Sequence, residues 1–190
     1  MRFIGDIHGK YQKYSQIKNE VKKSLQVGDF GWGFKEIPED LFRNGDRYIL
    51  GNHDDPVKGR NNSHHLESGV EWEGIFPFNG AMSIDRVHRI EGKSWWPEEE
   101  HTTDEGYSIL DKWENSKCEI VVAHDCPQDF IPYMDSHHIC EHSKTRQMLS
   151  SLIYIRKPKL FIFGHHHTYV DKIMDDIRFI CLPELGYIDI

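Results

Sequence analysis

Four short segments carry the side chains that a metal ion needs. They are Gly5-Asp6-Ile7-His8-Gly9, Gly28-Asp29, Gly51-Asn52-His53-Asp54 and Gly164-His165-His166-His167. A fifth, Val121-Val122-Ala123-His124, adds one more imidazole. Carboxylate, imidazole and amide donors together are numerous enough for two divalent cations rather than one. Two adjacent cations in a water-accessible site are suited to cleaving phosphate esters, because they activate water and neutralise phosphate oxygens together.

Spacing gives the donors a first geometry. Asp6 and His8 are two residues apart, and in an extended segment such residues point to the same side and can grip one ion. His165 and His167 repeat this logic, which turns His166 the other way and leaves it for substrate contact. Asp29 follows Gly28, where the missing Cβ lets the backbone turn sharply, and one carboxylate can bridge two cations. Asn52 offers a carbonyl oxygen to a hard cation. His53 is placed to face a substrate instead of a metal.

Strands must deliver these residues to one place. Arg2-Phe3-Ile4, Leu25-Gln26-Val27, Tyr48-Ile49-Leu50, Glu119 to Ala123 and Leu160-Phe161-Ile162-Phe163 read as short buried strands. Each candidate donor lies just past the end of one of them. Open α/β sheets gather sites at those carboxyl ends, so the fold class read here is α/β. Lys13 to Ser24 reads as a helix with a solvated lysine face, and Glu141 to Arg156 as another, stopped by Pro158. Val70 to Pro97 reads as β structure with long loops, and Ile177 to Leu182 as one further strand. No repeat or linker divides the chain, so residues 1–190 are expected to form a single domain.

GDIHG, GD, GNHD, an isolated histidine after a strand and GHHH resemble the calcineurin-like metallophosphoesterase superfamily. The resemblance implies a four-layer α/β/β/α sandwich with a two-metal centre. By it, Asp6, His8 and His167 match the ligands of a first metal, Asp29 the bridge, and Asn52, His124 and His165 the ligands of a second. His53 matches the histidine that protonates the leaving oxygen, Asp54 in the acidic position after it is expected to share in catalysis, and a metal-bound hydroxide would be the nucleophile. GDFGW at Gly28–Trp32, GNHDD, the stretch Gly80-Ala81-Met82-Ser83-Ile84-Asp85-Arg86 and the SWWPEE stretch at Ser94–Glu99 resemble a small bacterial and phage subgroup. The stretch Gly28-Asp29-Phe30-Gly31-Trp32-Gly33 departs from the GDxxDRG of the Ser/Thr phosphatase branch, which lowers a protein phosphatase reading.

Substrate contacts are read from the remainder. Trp95 and Trp96 are adjacent, so in an extended segment both cannot face the core; one is expected to pack and the other to offer a platform for a base, unless the neighbouring loop covers both. Arg86 and Arg89 could hold a phosphate or pair with nearby acids. The substrate expected is a small phosphorylated molecule, a nucleotide phosphodiester foremost, with a phosphomonoesterase or a non-catalytic metal-binding scaffold as rival readings. Mixed oxygen and nitrogen donors suit two divalent ions, manganese first, with iron, zinc or nickel as alternatives.

Composition bounds the rest. The net charge of −8 argues against a broad surface for long nucleic acid. No apolar run is long enough to span a membrane. The start at Met1-Arg2-Phe3-Ile4 leaves no room for a signal peptide, and the four separated cysteines read as reduced thiols. A cytoplasmic location in a bacterial or phage-infected cell is expected; the oligomeric state has no signature in the sequence.

Overall fold

The structure, a computed structural model, describes residues 1–134 and 143–190. Two sheets form the centre. The first has the strand order β3-β2-β1-β9, from β1 (Arg2–Ile4), β2 (Ser24–Val27), β3 (Asp46–Ile49) and β9 (Tyr187–Asp189). The second has the order β4-β5-β6-β8-β7, from β4 (Ile75–Phe78), β5 (Ile120–Ala123), β6 (Leu160–Phe163), β7 (Val170–Met174) and β8 (Ile177–Cys181). Strands β1, β2 and β3 pair in parallel, as do β4, β5, β6 and β8. The edge strands β9 and β7 pair antiparallel.

Three apolar clusters order the layers. Phe3, Leu25, Val27 and Ile49 of the first sheet meet Val122, Leu160, Ile162 and Ile180 of the second, so this cluster lies between the sheets. Phe76, Val121, Phe161 and Phe179 face outward onto Ile109, Leu110 and Trp113 of α3 (Thr103–Asn115) and Leu149 and Leu152 of α4 (Lys144–Ile155). Ile4 and Tyr48 face Tyr11 and Tyr14 of α1 (Tyr11–Asn19). The result is an α/β fold of helix, sheet, sheet and helix. Strands buried on both faces are largely apolar: β6, LFIF, is buried throughout, and in β1, RFI, the one buried charge, Arg2, is paired with Glu20 and Asp189.

Several elements differ from the sequence expectation. The first helix ends at Asn19, and Lys18, expected on a solvated face, is buried against Asp46 with Nζ 2.8 Å from Oδ2. α4 begins at Lys144, where the Ser143 hydroxyl accepts from the Arg146 amide; Glu141 and His142, the expected start, lie outside the described residues, as do His137, His138 and Cys140. Within residues 70–97 the only named strand is β4. It is an edge strand, so the N–H that Pro77 lacks is not missed by a neighbour. The rest is loop with two single 3-10 turns, Arg86–His88 and Pro97–Glu99.

The short helix α2 (Pro56–Arg60), helix α3 and strands β7 and β9 go beyond the sequence expectation. A signal for α3 was present: Thr102 and Glu105 form a capping box, followed by Ile109, Leu110 and Trp113 at helical spacing. β7 and β8 are joined through Asp175 and Asp176, both at positive φ (52° and 67°), as a two-residue hairpin turn requires. β7 is exposed along most of its length, which removes the apolar signal.

Candidate metal centre

The parallel strands of both sheets end on one rim, and the expected donors converge there. Donor atoms of Asp6, His8, Asp29 and His167 lie within 4.8 Å of one another. Those of Asp29, His124 and His165 form a second group under the same limit. Asp29 belongs to both. Within the first group, His167 Nε2 is 3.0 Å from Asp6 Oδ2, and His8 Nε2 is 3.0 Å from His167 Nε2 and 3.9 Å from both Asp6 Oδ2 and Asp29 Oδ2. In the second, His124 Nε2 is 3.3 Å from Asp29 Oδ1 and 3.2 Å from Asn52 Oδ1.

The local backbone is unusual. His8, Asp29, His165 and His167 all have positive φ, between 44° and 64°. The donors are therefore presented by left-handed turns, not by the extended segments expected from the two-residue spacing. Such a conformation costs on the order of 1 kcal/mol for a residue with a Cβ. Close packing compounds the demand: a Cβ on Gly28 would run into the His124 ring, and one on Gly51 into the Asp29 carboxylate. The glycines before Asp29 and Asn52 thus admit the donors to one another.

Supporting hydrogen bonds orient the side chains. His124 Nδ1 lies 2.8 Å from the Val27 carbonyl, so its N–H is used there and Nε2 is the nitrogen turned towards Asp29 and Asn52. The Asn52 amide donates to Ser83 Oγ at 3.0 Å. Ser83 in turn donates to Glu99 from both its hydroxyl and its amide, which directs Asn52 Oδ1 into the site. Both Asp6 oxygens accept from the His165 amide at 3.1 Å. Asp29 Oδ1 accepts from the His53 amide at 2.8 Å.

The charge balance favours a cation. Burial opposes ionisation of Asp29, yet His124 and the neighbouring imidazoles outweigh it and hold its pKa well below the carboxylate range. Burial likewise opposes protonation of His124, but Asp29 and Asp6 raise its pKa to about 10. Two fully buried carboxylates stabilise positive charge between them. Their mixture with imidazole nitrogens fits divalent transition-metal ions.

A cavity of about 470 Å³ opens over the centre, lined by Asn52, His53, Arg89, Arg146 and His165 to His167 among others. His53 is half-buried. Burial lowers its pKa; Asp29 opposes that and Arg89 adds to it. Arg89 Nη2 lies 2.9 Å from His53 Nε2, and Arg89 Nε is held by Asp85 at 2.7 Å. Of the two arginines considered, Arg89 therefore reaches the cavity, whereas Arg86 is exposed and not among its lining residues.

Asp54 does not face His53. It is buried, and its oxygens accept from the amides of Phe30, Gly31, Trp32 and Gly51 at 2.7–3.0 Å. Four amides on one carboxylate tie the loops after β2 and β3 together, which is a positioning role in place of the expected catalytic one. His166 turns away from its neighbours to Asp125 Oδ1 at 3.0 Å, while Arg146 Nε donates to Asp125 Oδ2 at 2.7 Å. Its side chain is only 2% exposed, so the ring is committed to Asp125 and not to the substrate contact expected of it.

The tryptophans are not where a substrate would meet them. Trp96 is 6% exposed, Trp95 is half-buried, and neither lines the cavity. Trp96 is therefore a packing residue, and Trp95 stands outside this cavity. Sequence reasoning missed Asp125, Arg146, Ser83 and Glu99. An acid directly after His124 was one local signal, and Ser83 and Glu99 lie in the Gly80–Arg86 and Ser94–Glu99 stretches; only Arg146 comes from a segment with no motif.

Comparison with known proteins agrees with this geometry. A family model for calcineurin-like phosphoesterases matches residues 2–169. No curated protein matches the chain. Among solved structures, the phosphopantetheinyl hydrolase of Mycobacterium tuberculosis aligns at 13% identity, covering 96% of this chain and 89% of its own, with a TM-score of 0.57. A candidate 5′-nucleotidase from Staphylococcus aureus, solved with alpha-ketoglutarate, aligns at 13% identity, covering 97% of this chain and 48% of its own, with a TM-score of 0.55. At such identity the likeness is one of fold.

Proposed function

Because the chain belongs to the calcineurin-like phosphoesterase family and is therefore a metal-dependent phosphoester hydrolase, we propose that it works through two metals that share Asp29. Asp6, His8 and His167 would hold one cation, and Asn52, His124 and His165 the other. The observation that carries this reading is the membership of Asp29 in both donor groups. When bound, such a pair supplies an activated water and neutralises phosphoryl oxygens. Manganese is the metal we favour.

The remaining chemistry falls to side chains of the cavity. Arg89, held by Asp85, binds a phosphate oxygen through its Nη atoms. Its movement onto phosphate would release the His53 ring that it now touches. An anionic ester beside that ring favours the imidazolium, and His53 then gives its proton to the leaving oxygen. Asp54 holds the loops that carry Asp29 and His53 in place.

The substrate is a small phosphorylated molecule, with a nucleotide phosphodiester favoured. The size of the cavity supports a small molecule, as do the names of the two fold relatives, one a phosphopantetheinyl hydrolase and one a candidate 5′-nucleotidase. Turnover of bis(p-nitrophenyl) phosphate in the presence of Mn²⁺ tests the reading, against p-nitrophenyl phosphate as the monoester. Faster diester turnover is expected. A strong monoester preference would replace diesterase by monoesterase, and no turnover of either would remove the catalytic reading.

A further inference from the structure

Beside His53 stands an aromatic side chain from the loop after β2. Phe34 is 47% exposed, and its ring centroid lies 6.5 Å from that of His53. The turn that carries it is pinned from several sides. The Phe34 and Lys35 amides both donate to the Gly31 carbonyl, at 3.2 and 3.3 Å. Asp54 holds the Gly31 and Trp32 amides, and the Asp55 amide donates to the Trp32 carbonyl at 2.9 Å. Gly33 has φ +86°, and a Cβ there would lie 2.7 Å from Asp55 Cβ and 3.1 Å from the Trp96 ring. Buried Trp96 meets the Phe34 ring edge-on, with centroids 5.5 Å apart at 89°. An apolar ring left exposed on so constrained a turn has lost its freedom before any ligand arrives, which favours binding.

Beyond Phe34 lies a separate cavity of about 370 Å³, lined by Trp32, Phe34, Ile37, Lys35, Lys58 and Glu36 among others. Lys58 Nζ is 3.4 Å from Asp55, and Lys35 Nζ is 3.4 Å from the Gly9 carbonyl. Flat apolar surface and ammonium groups side by side suit a heterocycle that carries phosphate. We infer that Phe34 is the stacking platform for the leaving group, and that the substrates are phosphate esters whose leaving alcohol is a nucleoside or nucleotide. This rests on the phosphoesterase reading above, in which His53 marks the leaving-group side.

Calorimetric titration of the manganese-loaded protein tests the inference without turnover. The probes are adenosine 5′-monophosphate, ribose 5-phosphate and hexyl phosphate. The base should tighten binding over ribose 5-phosphate on the order of tenfold or more. Phe34→Ala should bring that ratio close to one, and Phe34→Trp should keep it; melting temperatures verify that both variants fold. Equal Kd values for the two sugar phosphates in the unaltered protein, or hexyl phosphate binding as tightly as the nucleotide, would overturn the platform. Turnover of bis(p-nitrophenyl) phosphate by the same preparation separates the two ideas. Turnover without base preference removes the platform alone, and base preference without turnover removes the catalytic reading alone.

Discussion

Asp29 and His53 are adjacent through one hydrogen bond yet serve separate purposes in the proposed mechanism, and substitution separates them. Asp29→Asn exchanges a shared carboxylate oxygen for an amide nitrogen that cannot ligate in the same way. Metal content by plasma mass spectrometry should drop to one ion or fewer, and kcat should fall on the order of 10²-fold or more. Two retained metals with full turnover would sink the shared-carboxylate model. His53→Ala should keep both metals, because no donor group among the described residues includes it. Its rate should fall roughly 10²–10⁴-fold on alkyl esters and far less on nitrophenyl esters, whose leaving oxygen needs little protonation. Equal losses on the two ester types would exclude general acid catalysis by this residue.

At the scale of elements, α1 is tied to the first sheet by charge as well as by apolar contact. Asp46 on β3 is buried and accepts from Lys18 Nζ, Ser24 Oγ and the Arg43 side chain. Burial would raise its pKa, but the bonds from Arg43 and Lys18 prevail and hold it at about 2, below the ordinary 3.8. A depressed native pKa means that the unfolded chain takes up the proton first. Stability from Asp46 is therefore full above about pH 4 and lost as pH falls towards 2. Asp46→Asn leaves Lys18 buried without its partner, so it should cost roughly 3 kcal/mol or more at neutral pH. Its stability should also fall less steeply than that of the unaltered protein between pH 4 and 2. Chemical denaturation at several pH values measures both, and parallel pH profiles for the two proteins would refute the assignment.

For the molecule as a whole, we propose one cooperative domain, since the cluster between the sheets draws residues from both. The metal centre joins the same two sheets, Asp6, Asp29 and Asn52 coming from the first and His124, His165 and His167 from the second. Metal binding should therefore stabilise the entire fold. At a free concentration near 100 times Kd the gain is about 2.7 kcal/mol, or roughly 5–11 °C in Tm for a chain of this size. Calorimetry with Mn²⁺ and with EDTA should show one transition moving by that amount. An unmoved Tm, or two transitions of which only one responds, would contradict a centre built from both sheets. Among the described residues no helix is long and apolar enough to cross a membrane.

Much of this was legible in the sequence because its causes are local. A strand buried on both faces is largely apolar, so β1, β5 and β6 announce themselves, and donors just past apolar runs declare a rim. The donor residues and their grouping into two sets sharing Asp29 follow from motif and resemblance, and the structure brings all of them together. Tertiary contact decided what local pattern could not. Whether His8, Asp29, His165 and His167 sit in extended or left-handed backbone depends on how closely the two sheets approach, since it is packing that holds them at positive φ. Asp54 shares its motif with His53, but its direction is set by four amides from two loops. Arg89 reaches the cavity while Arg86 does not because Asp85 and a single 3-10 turn fix the loop. Trp95 and Trp96 read equally well as platform or packing, since adjacent aromatic residues carry no periodicity; only the fold turns Trp96 inward and leaves Phe34, in a segment without a motif, exposed beside His53.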